Sequence, residues 1–503
     1  MISIRIVTLA KLIMFSPQPS DSPFTQAGGD MPIRSAIVVG GGLAGISAAL
    51  ALARHGLRVT LIEGRTRLGG RTGSFTVDLA HNGKPESVDY CQHVGMGCCT
   101  NLKQLIEWLG QQDSWHEHRQ LHFFGPDGQY RPLKAWPLLP APLHLTGWLL
   151  RWPGLNWRDR ASIARGLAAV DKLTLGAECQ SQSALTWLQQ RGQTAAAIER
   201  FWSTIGVSAL GEDLSRVSLA AVAKVLQDGF LRHRQAFHLL VPTRSLGELF
   251  GTETAEQLRS HQVDIHLASP AQAIEYAVDC ASHGPIRVVT SQATFTADSL
   301  VLAVPWQQLN KLNFGNDFAN LSLVSEQAAQ LQSSAITGVH TWWDRAWLDL
   351  PHAAIVGRLC QWVFPKEQTL NRAHVTARGG HYYQIVISGS RDLRGCKAAE
   401  VATRIREDLC HVFPQVRTAR LLRHHVVTDP NAVFSITPAS YALRPSGFVT
   451  QRVMLAGDWT ATDWPATMEG AVLSGFKAAE NLLRLNHPAP SRIVRPPLAL
   501  RRR

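Results

Sequence analysis

The first residues that point to a chemistry are three glycines and a glutamate. The glycines follow the spacing G-x-G-x-x-G between a short apolar run and a helical pattern, and the glutamate ends the next apolar run. Such glycines allow a tight turn, close approach of the backbone to a pyrophosphate and close helix packing, while the carboxylate can accept adenosine ribose hydroxyls. This group predicts a dinucleotide site, for FAD or NAD, with helix N–H groups aimed at the phosphates. The residues expected to hold it are Gly40, Gly42, Leu43, Ala44, Gly45 and Glu63.

The residues that follow Glu63 separate the two cofactors. They read E-G-R-T-R-L-G-G-R-T, which resembles the E-x-R-x-x-x-G-G-R-T run of the flavin amine oxidase and phytoene desaturase superfamily. The glycine pair lets the backbone pass close to the cofactor, and the arginines offer forked donors to phosphate oxygens. The resemblance implies FAD, bound here by Arg65, Gly69, Gly70 and Arg71.

A second cofactor segment is expected near the C-terminus if FAD is extended, and residues 452–471 have the form of strand, loop and helix start. The carboxylate that follows its first glycine can accept hydrogen bonds from ribityl hydroxyls. The N-terminus of a helix beginning near Thr467 can stabilise negative charge on the flavin pyrimidine edge. The residues expected to contact FAD here are Gly457, Asp458, Pro465, Met468 and Glu469.

A run at residues 89–101, D-Y-C-Q-H-V-G-M-G-C-C-T-N, narrows the family. It resembles the D-x-C-Q-H-V-x-x-G-C-C-x-N signature of the squalene-associated flavoproteins, the hydroxysqualene dehydroxylases. Residues 361–364 and the tail form G-D-W-T-x-T-x-W-P-A-T-M-E-G-A agree with it. The resemblance implies reductive dehydroxylation of hydroxysqualene to squalene, a hopanoid or sterol precursor, with hydride from reduced flavin N5. Two alternatives stay open: an amine oxidase or phytoene-type desaturase, and a non-catalytic flavoprotein that carries isoprenoids.

Dehydroxylation requires an acid because hydroxide is a poor leaving group. Asp89, Gln92 and His93 lie in the run expected to face the flavin, and an imidazolium with a pKa near neutrality suits proton donation. His93 is equally well explained as a structural histidine bonded to the backbone. Cys98 and Cys99 are expected to be two buried small side chains rather than redox groups. No metal site is predicted.

The elements that must position these residues are those of an α/β fold. We predict a Rossmann-like FAD-binding domain of the glutathione-reductase and amine oxidase type, with an inserted α+β substrate domain. Strands are expected at Val263–Leu267 and Ala297–Pro305 where the chain returns to the FAD domain, and at Ala335–Trp343, Ala353–Phe364 and His381–Ser388 in the substrate domain. The expected boundaries are 31–115, 241–310 and 441–487 for the FAD-binding domain and 116–240 and 311–440 for the substrate domain.

The two ends of the chain are expected to lie outside these domains. Residues 1–30 are expected to be disordered or to come from an overextended gene start, and residues 488–503 to form a disordered or electrostatically sticky basic tail.

The amino-acid composition limits which binding partners and which cellular location are expected. The 503 residues carry a net charge of +12, but no nucleic-acid motif accompanies it, so an anionic membrane surface or solvated basic faces explain the charge better. Eight cysteines without a C-x-x-C pair fit a reducing cytosol. We therefore expect a cytoplasmic protein with peripheral contact to the inner face of the membrane. A C30 isoprenoid substrate and contacts with upstream squalene-pathway enzymes are the other expected partners.

One apolar segment has two interpretations. Residues 135–150, AWPLLPAPLHLTGWLL, are uncharged, broken by prolines and followed by Arg151, Trp152 and Trp157. Aromatic and basic residues around an apolar segment are typical of a membrane interface or the mouth of a lipid channel. The same pattern is expected of a segment that packs in the core. The segment is too short and too interrupted to span a bilayer.

Overall fold

The computed structural model describes residues 33–77, 86–277, 284–366, 380–484 and 492–498. The expectations for residues 1–30 and for the end of the tail lie outside these residues. The strands are β1 Ser35–Val39, β2 Arg58–Ile62, β3 Ser74–Val77, β4 Glu86–Asp89, β5 Gly95–Met96, β6 Trp115–His118, β7 Leu121–Phe124, β8 Tyr130–Leu133, β9 Leu239–Pro242, β10 Asp264–His266, β11 Ala271–Tyr276, β12 Ile286–Thr290, β13 Thr294–Ala297, β14 Ser299–Leu302, β15 Asn313–Phe314, β16 Ser333–Trp343, β17 Ala353–Ile355, β18 Trp362–Pro365, β19 His381–Ser388, β20 Leu421–Phe434, β21 Phe448–Thr450 and β22 Val453–Leu455.

Short helices dominate residues 146–260, although one helix of 15 residues lies there at Trp157–Asp171. Segments of π-helix extend the helical region at Ile198–Trp202, Gln227–Leu231 and Glu248–Glu253. The α-helices are α1 Leu43–Arg54, α2 Thr100–Trp108, α3 Thr146–Leu149, α4 Trp157–Asp171, α5 Ala177–Gln180, α6 Ala184–Gln190, α7 Ala195–Ala197, α8 Ser203–Leu210, α9 Leu219–Leu226, α10 Thr254–Ser260, α11 Trp306–Leu309, α12 Ala319–Ala328, α13 Ala398–Val412, α14 Pro438–Leu443 and α15 Met468–Arg484.

The first large sheet has six strands in the order β10-β2-β1-β14-β22-β21. Its first five strands are parallel, and β21 joins antiparallel at the edge. The residues of β1 and β14 are apolar and buried, as expected for strands covered on both faces. The predicted returns near residues 263–267 and 297–305 both supply strands to this sheet, so the Rossmann-like fold is confirmed.

The parallel sheet places two helix N-termini at one edge. Strand β1 leads into α1, and β22 leads through a loop into α15. Because β1, β14 and β22 run in the same direction, both helices begin beyond the carboxyl ends of the strands. The sequence predicted one helix opened by the glycine turn, from about Ala44, and another beginning near Thr467, and α1 begins at Leu43 and α15 at Met468.

The second large sheet has seven strands in the order β20-β16-β19-β18-β17-β7-β8. All of its strands lie in the ranges expected for the substrate domain, although the division into two domains stays a prediction. The expectation of one strand over Ala353–Phe364 is wrong, because the chain turns at Gly357, with φ +68°, and forms the antiparallel pair β17 and β18. The strands expected at Ala335–Trp343 and His381–Ser388 are confirmed.

The apolar segment at residues 135–150 divides between core and surface. Trp148 and, just beyond it, Trp152 are buried against Phe123 and Phe201 in the main core. Several other apolar side chains of the segment are exposed. The core interpretation is therefore confirmed for the two tryptophans, and the membrane-interface interpretation stays a prediction for the exposed side chains. Within the described ranges, no helix is both long enough and apolar enough to cross a membrane.

The described part of the basic tail is packed rather than free. The Ile493 side chain is buried, and its N–H donates to Glu480 of α15 at 2.6 Å. The Arg495 guanidinium pairs with Glu107 of α2 at 2.5 Å. The expectation of disorder is thus wrong for residues 492–498, because an apolar side chain and three backbone N–H groups find buried partners there.

Candidate functional site

The turn between β1 and α1 requires glycine for reasons of space. A Cβ on Gly40, whose φ is +110°, would lie 2.5 Å from the carbonyl oxygen of Ala303. A Cβ on Gly45 would lie 1.8 Å from the carbonyl oxygen of Gly40. Only glycine lets α1 start so close to β1 and β14. The spacing noted in the sequence therefore reflects real backbone contacts.

The start of α1 has unused hydrogen-bond donors. The N–H groups of Leu43, Ala44 and Gly45 have no acceptor among the described residues, and Gly42 at the N-cap offers no side chain. Helix N-termini with free N–H groups bind phosphates, because the donors and the helix dipole both favour an anion. This edge of the sheet is shaped for a pyrophosphate.

Glu63 lies beside this turn, directly after β2. One carboxylate oxygen accepts from the N–H of Gly41 at 2.6 Å, and the other accepts from the N–H of Arg65 at 2.8 Å. These bonds fix the carboxylate at the carboxyl end of β2, where the ribose of a dinucleotide lies in this fold. Each oxygen keeps a lone pair for a ribose hydroxyl.

The glycine pair that follows covers the same turn. Gly69 donates to the carbonyl of Gly41 at 2.9 Å, and a Cβ on Gly70 would lie 3.0 Å from Cα of Gly42. Arg65 is exposed and reaches the carbonyl of Gly70 only at 3.5 Å. The backbones of the two glycine segments therefore face each other, as a cradle for an extended cofactor requires.

Arg71 joins the N-terminal and C-terminal segments. Its guanidinium donates to the buried carboxylate of Asp458 at 2.6 Å and to the carbonyl of Ala432 at 2.6 Å. The sequence predicted Arg71 as a phosphate donor and Asp458 as an acceptor for ribityl hydroxyls. In the structure the two groups bind each other, so the pair brings both predicted segments together at one site.

The start of α15 also has free donors. Gly470 donates to the Thr467 hydroxyl at 3.1 Å, whereas the N–H groups of Met468 and Glu469 have no acceptor within the described chain. Pro465 lies close behind them, since a Cβ on Gly470 would be 2.6 Å from its carbonyl oxygen. These N–H groups fit the predicted contact with the flavin pyrimidine edge.

The Glu469 carboxylate does not serve the cofactor as predicted. It is buried and accepts three hydrogen bonds at the start of α2, from the N–H and side-chain amide of Asn101 and from the N–H of Leu102. Burial raises its pKa, and these bonds oppose the rise. Glu469 thus ties α15 to α2, and only its backbone can face FAD.

The two helices that carry the free donors touch directly. A Cβ on Gly475 of α15 would lie 2.1 Å from the carbonyl oxygen of Ala44 and 2.2 Å from Oγ of Ser47 in α1. Ser47 in turn donates to the carbonyl of Val472 at 3.2 Å. The contact fixes the spacing between the pyrophosphate donors and the flavin donors, which makes one cradle of two helix ends.

Asp89 is buried at the end of β4 among hydrogen-bond donors. One carboxylate oxygen accepts from Oγ of Ser74 at 2.6 Å and from the N–H of Leu246 at 2.8 Å. The other lies 3.7 Å from Nζ of Lys366, which is also buried. Asp89 therefore holds the loop that follows β9, and its predicted catalytic role stays a prediction.

Lys366 is the residue that the sequence interpretation missed. It directly follows β18, in the run Q-W-V-F-P-K, and a lysine that ends an apolar strand was the available signal. Burial and then the nearby charge of Asp89 raise the pKa of the Cys91 thiol to about 12, although Lys366 opposes the rise, so Cys91 stays protonated.

His93 is the predicted proton donor, and its surroundings determine its protonation. Burial lowers its pKa below 6.5, the Cys91 carbonyl and Asp89 raise it, and Arg71 and Lys366 lower it further. Nδ1 lies 3.0 Å from the carbonyl oxygen of Cys91, which can only accept, so Nδ1 carries the proton. The lowered pKa favours the neutral ring at neutral pH, in which Nε2 is a hydrogen-bond acceptor, and the role of His93 as proton donor stays a prediction.

The other signature residues hold this arrangement. Gln92 is buried and donates its amide to the carbonyl of His93 at 2.9 Å. Cys98 and Cys99 are buried as expected, in the core that surrounds α1 and α2. No group of three or more His, Cys, Asp or Glu in the described ranges could hold a metal ion.

Comparisons with known proteins agree with this geometry. A family model described as flavin containing amine oxidoreductase matches residues 43–483. A 15-cis-phytoene desaturase of an Oncidium hybrid cultivar is 24% identical, over 89% of this chain and 77% of the relative. A hydroxysqualene dehydroxylase of Sinorhizobium fredii is also 24% identical, over 88% of this chain and 97% of the relative. The solved structure of a putrescine oxidase bound to putrescine has the same fold, with a TM-score of 0.65 and 15% identity, over 90% of this chain and 99% of that one.

Proposed function

The chain belongs to the flavin-containing amine oxidoreductase family and is an FAD-dependent oxidoreductase, and from that premise we propose that it reduces hydroxysqualene to squalene. The overall change replaces a carbon–oxygen bond by a carbon–hydrogen bond. When bound, reduced FAD would supply the hydride and an acid would supply a proton to the leaving oxygen, so that the products would be squalene, water and the oxidised cofactor. The product would serve hopanoid or sterol precursor synthesis.

The position of the signature run supports this proposal. The run, residues 89–101, lies between the seven-stranded sheet and α15. The side-chain amide of Gln384 in β19 donates to the carbonyl of Asp89 at 2.9 Å. A Cβ on Gly338 in β16 would lie 2.6 Å from the carbonyl oxygen of Tyr90. At the other end, Asn101 binds Glu469 of α15 at 2.8 Å. The signature run thus connects the seven-stranded sheet to α15, and His93 lies between the two ends of the run.

The chain's own part in the reaction is to deliver a proton in a dry site. With Nδ1 held by the Cys91 carbonyl, Nε2 of neutral His93 can accept a hydrogen bond from the substrate hydroxyl. The ring becomes an acid only when Nε2 gains a proton, and the lowered pKa makes that form scarce at neutral pH. We therefore expect the reaction to be faster at lower pH. Asp89, with Lys366 beside it, is the next candidate for the proton path.

A phytoene-type desaturase is the second candidate, because phytoene desaturases are as similar in sequence as the dehydroxylase relative. Desaturation moves hydride to oxidised FAD, so the two reactions run in opposite redox directions. An amine oxidase rests on the shared fold alone, since the putrescine oxidase structure is only 15% identical. A non-catalytic isoprenoid carrier would bind its isoprenoid without turnover.

The proposal also includes the binding partners of the protein and its cellular location. A C30 isoprenoid is stored in membranes, so an enzyme that acts on it gains from contact with a lipid surface. We place the protein in the cytoplasm, peripheral on the inner face of the membrane, and the exposed apolar side chains near residues 136–157 support this contact. Contacts with upstream squalene-pathway enzymes stay a prediction.

A panel of anaerobic flavin spectra separates the candidates. Photoreduced holoenzyme is mixed with hydroxysqualene, and oxidised holoenzyme is mixed with phytoene or with amines. The proposal predicts that hydroxysqualene restores the oxidised spectrum and that neither phytoene nor amines bleach it. Bleaching by phytoene or by an amine, without reoxidation by hydroxysqualene, contradicts it. A protein that responds to none of them is a carrier.

A further inference from the structure

A cavity of about 610 Å³ lies outside the FAD cradle. Its wall comes from β8, the turn that follows α3, the start of α4 and the π-helical segment Ile198–Trp202. None of its lining residues, all of which the structure describes, belongs to the FAD cradle. The volume lies in the range of small-ligand pockets.

The cavity is strongly basic. Arg131, Arg151, Arg160 and Arg200 all line it. None of the four guanidinium groups forms an ion pair with a carboxylate in the described part of the chain. A carboxylate also lines the cavity, that of Asp159, but its oxygens accept from the Asn156 N–H at 3.0 Å and from the Thr194 hydroxyl at 2.6 Å.

The four arginine side chains have N–H donors that no group of the described chain accepts. Arg131 and Arg200 bond only to backbone carbonyls, those of Tyr130 at 2.9 Å and Gly154 at 2.6 Å. Arg160 reaches the Trp152 carbonyl at 3.3 Å, while its buried Nε has no partner. The Arg151 side chain is exposed and has no hydrogen bond or ion pair to any described residue. A buried donor without an acceptor is costly, so the cavity is built for an anion from outside the chain.

Exposed apolar side chains lie at this cavity and on the loop that precedes it in the chain. We call this set the apolar rim: Trp136, Leu138, Leu143, Leu150 and Trp157. They are five of the ten large hydrophobic side chains that are exposed in the described chain, and Leu138 and Trp157 are 94% and 70% exposed. Leu150 itself lines the cavity, and Trp157 directly follows Asn156, which also lines it.

The rim and the cavity are connected parts of one surface. The loop that carries Leu138 and Leu143 is closed by a hydrogen bond from the Trp136 N–H to the His144 carbonyl at 2.9 Å. The Trp136 ring lies over Gly147 of α3, where a Cβ would be 2.5 Å from it. Helix α3 leads directly to Leu150 and Arg151 at the cavity, so the apolar loop and the basic pocket share this helix.

We propose that this surface docks on an anionic membrane, with the phosphate of a glycerophospholipid in the arginine cavity and the apolar rim among the acyl chains. The inference rests on the proposed isoprenoid chemistry, because a substrate held in a bilayer gives the docking its use. A free phosphate would engage the arginines equally well but would leave the rim in water. Apolar side chains beside a phosphate-sized basic pocket match the two halves of an anionic lipid.

The test uses FAD-loaded full-length protein and sedimentation with vesicles. Mixed phosphatidylglycerol and phosphatidylcholine vesicles are compared with pure phosphatidylcholine. Replacing Arg131 and Arg151 by glutamine should weaken binding to the mixed vesicles about 25-fold, from about fivefold for each arginine near an anionic surface. Arg404→Gln with Arg406→Gln removes the same charge from the exposed face of α13 and should change binding little beyond the general charge effect.

The rim is tested in the same way. Leu150→Ser with Trp157→Ser should weaken binding to the mixed vesicles, while Leu323→Ser, which removes another exposed leucine, should leave binding unchanged. Sodium phosphate should release the protein better than sodium chloride of equal ionic strength, because inorganic phosphate competes for the same arginines, whereas a contribution from the rim is expected only when the ligand is a lipid.

Two results would overturn the proposal. One is equal binding by the Arg131/Arg151 variant and the Arg404/Arg406 variant, and the other is binding of inorganic phosphate with unchanged affinity for vesicles in the rim variant. Failure of the proposed function is distinguishable, because detergent-dissolved hydroxysqualene reports on the reaction without vesicles. A protein that docks but does not convert this substrate keeps the membrane proposal and loses the reaction.

Discussion

Replacing Gly475 by alanine tests the cradle formed by the two helix ends. The added methyl would lie 2.1 Å from the Ala44 carbonyl oxygen and 2.2 Å from Oγ of Ser47. The serine side chain can rotate, but the carbonyl belongs to the first turn of α1 and cannot. The helices must therefore move apart by about 1 Å to restore normal van der Waals contact.

The size of the effect follows from this overlap. Inserting a methyl into a tightly packed contact costs about 1 to 3 kcal/mol. The apoprotein can relax by separating α1 from α15, whereas FAD must bind the N-termini of both at their original spacing. The affinity for FAD should therefore fall by about 5- to 140-fold, which is the same energy expressed as a binding ratio. Flavin fluorescence during titration of the apoprotein measures this directly.

A matched control distinguishes the effect of the α1–α15 contact from the general effect of replacing a glycine by alanine. Gly251→Ala places its methyl where no atom lies within 4 Å and should leave FAD affinity unchanged. Equal FAD affinities for the two variants would refute the view that the α1–α15 contact sets the spacing of the site.

Three further predictions follow from single side chains. Glu63→Ala should weaken FAD binding by about 1 to 3 kcal/mol, because ribose hydroxyls lose a charged acceptor, and unchanged flavin retention on dialysis would contradict it. His93→Gln should keep FAD but slow flavin reoxidation by hydroxysqualene by about 100- to 10,000-fold. In the unmodified protein that rate should rise as pH falls through 6.5 and below, since the pKa of His93 is lowered, and the variant should lose this dependence. Trp152→Ser should lower the free energy of unfolding by about 3 to 5 kcal/mol in denaturant titration. Trp157→Ser, at an exposed site, should not.

The cofactor half of the site was predictable because its residues are fixed by local backbone geometry. The spacing of Gly40, Gly42 and Gly45 is required by contacts within one strand–turn–helix unit, so it is visible in the sequence. The short, largely apolar runs of β1 and β14 indicate a parallel sheet, because strands covered on both faces bury nearly every side chain. The substrate side was less visible, since a turn at Gly357 depends on one backbone conformation and divides an apolar run into two strands.

Side-chain directions at the site could not be predicted from the sequence. Glu469 lies in the FAD motif, but its carboxylate turns to α2 because that helix start offers three donors. The protonation state of His93 depends on the Cys91 carbonyl and on Lys366, which lies far away in sequence. The segment near residue 148 mixes core and surface residues, because the prolines break any regular period.

The proposed reaction moves a hydride from the flavin of this protein to hydroxysqualene. Holoenzyme is photoreduced anaerobically in D₂O, where the transferable hydrogen of reduced flavin exchanges with solvent, and is then mixed with hydroxysqualene. Mass spectrometry of the extracted lipid should show squalene with one deuterium on carbon, in step with recovery of the oxidised flavin spectrum. Recovery of unchanged hydroxysqualene, or of squalene without deuterium, would contradict hydride transfer from the flavin.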